Sequence, residues 1–197
     1  MTGQAFSPEP ELIQGGMGVA ISGWQLARSV AETGERIGRP VLGVVSGTGL
    51  AITMVLRLRK GDSNTRRALE AFPVPEIAQG VIERYWLNTD RSSRSRIPPK
   101  PEILVNGSDE RKADFAKLLI VANFAEVWLA RQGHSGPVGI NYLEKVQLPR
   151  LPEIFGAMLG GVDYVLMGAG IPNQVPGVLD DLAGWKESAA RGSRRKT

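Results

Sequence analysis

The glycine-rich segment at residues 14–18 is the first place in the chain where the residue types could serve a ligand. It follows a short apolar run and consists of Gln14, Gly15, Gly16, Met17 and Gly18. Glycines that follow a strand let the backbone approach a planar ligand closely and tolerate positive φ. The same residues also suit a tight strand-to-helix turn without a ligand. The segment alone therefore leaves two interpretations open, a backbone binding surface and a simple turn.

Polar side chains follow two further apolar runs. Ser46 and Thr48 come directly after one run, and Asn141 closes another. Ligands of parallel α/β folds bind at the carboxyl ends of the strands, so we expect these side chains at the same edge as segment 14–18. An asparagine amide carries both a donor and an acceptor. The two hydroxyls either line the same mouth or cap the helix that follows.

The titratable residues give no catalytic assignment. The only histidine, His134, precedes the third apolar run, which predicts a position at the amino end of a strand, away from barrel chemistry. Glu144 and Lys145 follow Asn141 on the ligand side, and they either contact substrate or form a solvent-facing ion pair. The chain has no cysteine, which excludes disulfides, thiolate metal sites and cysteine nucleophiles. We therefore predict no metal site and leave the catalytic residue unknown.

The rhythm of apolar runs and helical patterns predicts an α/β fold. Four parallel strands are expected in the runs 11–17, 41–45, 137–141 and 163–167, of which the second is continuous and β-branched, as in a strand buried on both faces. The first helix is predicted over residues 23–33, with Ser22 as its N-cap and Gly34 as its end. Further helices are predicted at 50–60, 64–72, 75–87, 109–131, 152–159 and from 175 onward.

Two regions depart from this rhythm. Residues 63–135 are longer than a barrel crossover requires, so we interpret them as a helical insertion between the second and third strands, with a basic exposed loop at 88–101. Residues 185–197 carry five basic residues and one acid, which accounts for the whole formal charge of +4. This end is expected to be a basic disordered tail. Nucleic-acid binding is not expected, because such domains spread Lys and Arg over a folded face.

Composition and the chain's first residues bear on the compartment. The amino terminus lacks the basic and apolar segments of a secretory signal. No apolar run approaches the roughly 20 residues that a membrane span needs. A cysteine-free chain fits a reducing compartment. We therefore expect a cytoplasmic protein with no membrane partner. The expected partner is a small-molecule substrate at the strand ends described above.

The four strand ends together resemble the nitronate monooxygenase (2-nitropropane dioxygenase-like) flavoproteins. Residues 13–18, followed by Ser22, Gly23 and Trp24, are similar to the opening strand of that family. Residues 42–48 are similar to its second strand and turn, 136–141 to its third strand, and 163–170 to its fourth strand and loop. Four matches in order over residues 10–183 are more specific than any one of them.

The resemblance implies a TIM-type (β/α)8 barrel that binds FMN and oxidises alkyl nitronates with O2. It implies that Gly16, Met17 and Gly18 lie against the isoalloxazine ring and that Asn141 hydrogen-bonds the flavin. The full set of implied cofactor-binding residues is Gly15, Gly16, Met17, Gly18, Ser46, Thr48 and Asn141. The alternatives are a flavin-dependent enoyl-thioester reductase relative, or an inactive fragment that serves as a partner-binding half-barrel.

Strand counting predicts that residues 1–184 form only part of such a barrel. A complete barrel takes about 250 residues, whereas four β/α units are predicted here and no glycine-rich phosphate loop follows Gly170. We therefore expect a partial FMN-binding barrel, equivalent to the N-terminal half of the family fold in truncated form. The family's catalytic histidine lies in the other half. A half-barrel leaves two strand edges unpaired, which predicts a homodimer or a complementing half-barrel chain.

Overall fold

Four parallel strands form the sheet on which the rest of the molecule is built. The computed structural model describes residues 9–87, 103–143 and 149–194 of the chain. In these residues the strands are β1 (Leu12–Ile13), β2 (Val41–Ser46), β3 (Val138–Leu143) and β4 (Tyr164–Gly168), and their order in the sheet is β1-β2-β3-β4. The sheet curls into a half-barrel of an α/β fold, so the predicted class and strand count are confirmed.

Helices connect every pair of neighbouring strands. The helix α1 (Trp24–Arg36) joins β1 to β2, and α7 (Arg150–Leu159) joins β3 to β4. The last helix, α8 (Val175–Arg194), follows β4. All the regular elements described between β2 and β3 are helices. They are α2 (Leu50–Arg59), α3 (Ser63–Glu70), α4 (Pro75–Tyr85), α5 (Ile103–Asn106) and α6 (Asp109–Ala130).

The two faces of the sheet have different neighbours. Side chains alternate between the two faces of a strand. On the outer face, Val45, Ile140 and Tyr142 pack against the helices and belong to the hydrophobic core. Val44, Gly139 and Leu166 occupy the inner face, because a Cβ placed on Gly139 would lie 3.1 Å from Leu166 Cδ1 and 3.3 Å from Val44 Cγ2. The predicted binding residue Asn141 is on this inner face by the same alternation.

The long helix α6 forms the centre of the helical layer. Twelve of its 22 residues are buried, and they face several directions around the helix axis. Phe124 meets Phe72 edge to face with ring centroids 5.0 Å apart. On another side α7 approaches so closely that a Cβ on Gly156 would lie 2.1 Å from the Ile120 carbonyl oxygen. Helix α6 is therefore buried between its neighbours, although its amino-terminal turn is exposed.

Both predicted ends of α1 are wrong, for identifiable reasons. The N-cap is Gly23 rather than Ser22, because the Ser22 hydroxyl accepts a hydrogen bond from Gln14 instead. The helix continues through Gly34 to Arg36. Gly34 is required for packing, since a Cβ there would lie 2.8 Å from Val41 Cβ and 2.9 Å from the Arg39 carbonyl oxygen. The left-handed residue that follows the helix is Gly38, at φ 68°.

Two further expectations need correction or lie outside the described residues. The predicted disordered tail from residue 185 is wrong as far as Arg194, because α8 continues to that residue. Ala, Glu, Lys and Arg dominate residues 185–194, and their high helix propensity outweighs the missing apolar periodicity. The basic loop at 88–101, together with Glu144 and Lys145, falls outside the described residues. In the part of the chain that is described, no helix is long and apolar enough to cross a membrane.

Candidate functional site

The loop after β1 and the end of β3 meet at the carboxyl edge of the sheet. The Nδ2 atom of Asn141 donates a hydrogen bond to the Gly15 carbonyl oxygen at 2.7 Å. Gly15 follows β1 and Asn141 is in β3, and β2 lies between these two strands in the sheet. The contact therefore crosses the inner face of the curl. Two of the predicted binding residues are thus in direct contact.

Gln14 explains how segment 15–22 is held over β2. Its backbone nitrogen donates to the Leu42 carbonyl oxygen at 3.1 Å, and its side-chain Oε1 accepts from the Val44 backbone nitrogen at 2.9 Å. Its Nε2 donates to Ser22 Oγ at 3.0 Å. The side chain thus replaces the strand partner that β1 would otherwise supply beyond Ile13. This role limits β1 to two residues and could not be recognised from the residue type.

Gly16 is the point of closest packing between this segment and the sheet. It is buried with φ 64°, and a Cβ placed on it would lie 2.4 Å from Val44 Cγ1. Only glycine meets both conditions without strain. Its neighbours are open to solvent, with Gly15 exposed and the Met17 side chain 84% exposed. Gly16 therefore supports the segment from beneath, while Gly15 and Met17 present the outer surface.

The segment returns to the sheet through a left-handed turn. The backbone nitrogens of Ile21 and Ser22 both donate to the Gly18 carbonyl oxygen, at 3.0 and 2.9 Å. Ala20 lies between Gly18 and Ile21 at φ 58°, a conformation that non-glycine residues rarely adopt. The Ser22 carbonyl oxygen then accepts from the Ser46 backbone nitrogen at 2.8 Å. The first and second loops are therefore bonded to each other.

The loop after β2 is tied to β3 as well. The Gly47 backbone nitrogen donates to the Asn141 carbonyl oxygen at 2.8 Å. A Cβ on Gly47 would lie 2.2 Å from Tyr142 Cε1, so the backbone rests directly on the tyrosine ring. Ser46 is buried and Thr48 is partly exposed. Neither hydroxyl caps α2, whose N-cap is Gly49 at φ 74° without a side-chain cap in the described part of the chain.

The loop after β4 completes the described part of the edge. Gly168 lies beside Asn141, with Oδ1 3.7 Å from the position that a Cβ would take. Ala169 adopts φ 62°, and Ile171 is 79% exposed. Backbone strain at non-glycine residues is concentrated at sites where a ligand or a switch requires the conformation. Of the three non-glycine residues at positive φ in the described part of the chain, two, Ala20 and Ala169, are in loops of this edge.

A buried polar cluster lies behind the site, on the outer face of β3. The Tyr142 hydroxyl donates to Asn123 Oδ1 at 2.9 Å, and burial raises the pKa of Tyr142 well above its ordinary value, with a smaller effect from the Glu153 charge. Burial also raises the pKa of Glu153 to about 8, which the Arg150 guanidinium partly opposes. Glu153 is therefore largely protonated at neutral pH. No pattern in the sequence predicted this cluster.

His134 lies at the opposite edge of the sheet, as predicted. It precedes β3, and its Nε2 is 2.7 Å from the Ala130 carbonyl oxygen at the end of α6. Among the described residues, no three histidine, aspartate or glutamate side chains form a group that could hold a metal ion.

The structure thus brings together Gly15 and Asn141 directly, and Ser46 through Ser22, while Met17 and Thr48 lie at the surface beside them. Comparison with protein-family models, with curated proteins and with solved structures found no match. Function is therefore to be inferred from the residues of this edge and from the motif resemblance.

Proposed function

We propose that this chain is an FMN-dependent oxidoreductase of the nitronate monooxygenase type, which oxidises small alkyl nitronates with O2. In this proposal the half-barrel is part of a TIM-type barrel, and α3–α6 are a helical insertion between its second and third strands. FMN binds at the carboxyl edge, against residues 15–18 and Asn141. A cysteine-free chain suits a reducing compartment, and we propose a cytoplasmic location.

The observation that carries the proposal is the hydrogen bond from Asn141 to the Gly15 carbonyl oxygen. The motif resemblance assigns both residues to flavin contacts, although they are 126 positions apart in the sequence. The hydrogen bond joins the two residues at one point of the inner face. Their contact supports one common site.

The residues at this edge fit a planar ring with polar edges. Asn141 uses one N–H on Gly15 and retains a second N–H and its carbonyl oxygen. Gly168 adds no side chain beside that oxygen. The exposed backbone at Gly15 and Met17 can approach a ring, whereas Gly16 faces Val44. In the proposed complex, ring contacts therefore come from Gly15, Met17, Gly18 and Asn141.

The roles derived for this chain's own residues are binding and orientation. When bound, the flavin supplies the redox chemistry that couples nitronate oxidation to O2. Asn141 would fix the polar edge of the ring, and segment 15–18 would cover one part of it. The loop at Ser46 and Thr48 would border the same opening. We assign no proton-transfer residue, because His134 lies at the other edge of the sheet.

Oxygen uptake tests the proposal. The chain is mixed with FMN and an alkyl nitronate, and O2 consumption is followed with an electrode. We expect consumption above that of free FMN, and its loss in Asn141→Ala. The control is Asn64→Ala on α3, which removes an amide from a helix that packs against α2, α4 and α6 in the helical layer. Consumption equal to that of free FMN, or unchanged in Asn141→Ala, would contradict the proposal.

A second candidate, a partner-binding half-barrel, is favoured by the edges of the sheet. Among the described residues, β1 and β4 each have one strand neighbour only. Apolar side chains are exposed in β1 and in the loop after β4, with Leu12 at 52%, Ile13 at 55% and Ile171 at 79%. Free edges and exposed apolar surface favour association, either with a second copy or with a complementing half-barrel chain. Light scattering of the purified chain distinguishes a monomer from a homodimer.

A further inference from the structure

Two polar residues lie on the otherwise apolar, buried part of α6. Asn123 is fully buried and Glu126 is 4% exposed. They are three positions apart, which places them on neighbouring parts of the helix surface. Burying an amide and a carboxylate costs free energy unless each is hydrogen-bonded. The contacts that these two side chains make are therefore informative. We call them the α6 polar pair.

Glu126 holds the beginning of α1 and the side of α2. Its Oε1 accepts from the Trp24 backbone nitrogen at 2.7 Å, one of the first N–H groups of α1, which have no partner within the helix. Its Oε2 accepts from Arg57 Nη1 at 2.5 Å. Arg57 is 17% exposed and Glu126 5% exposed by side chain, so the ion pair is mostly screened from water. The carboxylate thus satisfies one N–H group at the start of α1, where the N-cap Gly23 offers no side chain.

This contact controls where the first loop ends. Trp24 follows Ser22 by two residues, and Ser22 is bonded to both Gln14 and Ser46. The loop of residues 15–22 is thereby fixed at Gln14 on one side and at the start of α1 on the other. A displacement of the α1 terminus would carry Ser22 with it and disturb both hydrogen bonds.

Asn123 holds the other half of the site. Its Oδ1 accepts from the Tyr142 hydroxyl at 2.9 Å, and its Nδ2 donates to the Leu119 carbonyl oxygen at 2.9 Å. The Tyr142 ring supports Gly47, and Gly47 is bonded to the Asn141 carbonyl oxygen. A fixed ring therefore fixes both the second loop and the strand position of Asn141.

We infer that Asn123 and Glu126 are positioning residues, through which α6 sets the geometry of the first and second loops of the candidate site and the position of Asn141. Neither touches the inner face; Asn123 acts through Tyr142 and Glu126 through the start of α1. A buried ion pair is weak evidence for stability, and its better-attested use is to specify one arrangement. The flavin consequence of this inference rests on the proposed function, whereas its structural consequence does not.

Hydrogen exchange measured by mass spectrometry tests the structural consequence on the full chain without a ligand. In Tyr142→Phe, which removes only the hydroxyl that Asn123 binds, we expect peptides covering residues 46–50 to exchange about five- to tenfold faster. In Glu126→Ala we expect the same for peptides covering residues 14–24. Glu126→Gln retains an acceptor for the Trp24 nitrogen, so it should restore most of the protection at residues 14–24.

The matched control is Asp163→Asn at the amino edge of the sheet. Asp163 accepts from the Val138 backbone nitrogen at 2.8 Å and pairs with Arg131, so its loss weakens the fold away from the site. It should leave exchange at residues 14–24 and 46–50 unchanged relative to the remaining peptides. Uniform acceleration in Tyr142→Phe, equal to that in the control, would overturn the inference. If Glu126→Ala does not fold, Tyr142→Phe and Glu126→Gln decide the question.

An FMN titration of the same variants separates the two claims. If the wild type binds FMN, Tyr142→Phe should weaken binding about fivefold and Asp163→Asn should not. Equal affinity of wild type and Tyr142→Phe would overturn the positioning of the flavin site. Absence of binding by the wild type would count against the proposed function alone, because the exchange measurement would still report whether α6 positions the loops.

Discussion

The Asn141 side chain bonds to the Gly15 carbonyl oxygen across the inner face of the sheet, at 2.7 Å. Strand β2 lies between them, and Gly16 packs against the Val44 side chain of that strand. This relationship brings the first loop and the carboxyl half of β3 to one surface. It also makes the packing of Gly16 a condition for the site, which leads to the first prediction.

Gly16→Ala should destabilise the fold and disturb the segment above β2. The added Cβ would meet Val44 Cγ1 at 2.4 Å, and the backbone is at φ 64°. Overpacking together with a left-handed conformation should cost about 2–5 kcal/mol of unfolding free energy, measured by urea denaturation.

Gly38→Ala isolates the backbone contribution to that cost. Gly38 has a similar φ of 68°, but a Cβ there would meet nothing within 4 Å. It should lose only about 1 kcal/mol. In a Val44→Ala background, Gly16→Ala should cost less than in the wild type, because the Cγ1 atom that its Cβ would meet is absent. Equal losses in the two single variants would show that Gly16 does not pack against β2 as described.

A second prediction concerns the glycines inside helices. Gly34→Ala in α1 should destabilise the protein by about 1–3 kcal/mol, because the new Cβ would lie 2.8 Å from Val41 Cβ. Gly80→Ala in α4 meets nothing within 4 Å and should stabilise by about 0.5–1 kcal/mol through helix propensity. Thermal unfolding of both variants checks this. A stabilising Gly34→Ala would mean that α1 does not approach β2 so closely.

The helix boundary at Gly34 also shows a structural choice that the sequence pattern does not determine. A glycine at the end of an apolar periodicity predicts a helix end, but the same residue is needed wherever a helix approaches a strand closely. Nothing local distinguishes the two cases. By contrast, the continuous apolar run of β2 was sufficient to predict a buried strand, since both faces of Val41–Ser46 had to be covered.

The site was predictable to a similar extent. Glycines and polar residues after apolar runs indicated the edge at which Gly15, Ser46 and Asn141 lie. The roles of Gln14, Asn123 and Glu126 were missed, because each depends on a partner distant in sequence. One signal was available for the α6 polar pair. Asn123 and Glu126 interrupt an otherwise apolar stretch at a spacing of three, which places both on the buried side of the helix.

A third prediction follows from the raised pKa of Glu153. The folded protein retains this proton up to about pH 8, whereas the ordinary pKa is 4.5, so the folded state binds more protons between these values. The contribution of the Glu153 proton to the free energy of unfolding is complete below pH 4.5. It is lost as the pH rises towards 8, at up to about 1.4 kcal/mol per pH unit.

Glu153→Gln should remove this pH dependence, since a neutral amide does not ionise. Urea unfolding at pH 5, 6, 7 and 8 gives the difference between wild type and variant, in which other titrating groups cancel. The free energy of unfolding of the variant, relative to that of the wild type, should increase as the pH rises. Glu83→Gln, at an exposed position of α4, controls for the loss of one acid. A wild-type-minus-variant difference that stays constant from pH 5 to 8 would refute the assignment.

The account depends most directly on whether the carboxyl edge binds a flavin through Asn141. The decisive measurement is a titration of FMN with the purified chain, followed by the quenching or spectral shift of flavin fluorescence. We predict saturable binding by the wild type and by Asn64→Ala, with affinity reduced about tenfold in Asn141→Ala through the loss of hydrogen bonds to the ring. No change in flavin fluorescence with the wild type, or equal affinities in all three proteins, would contradict the account.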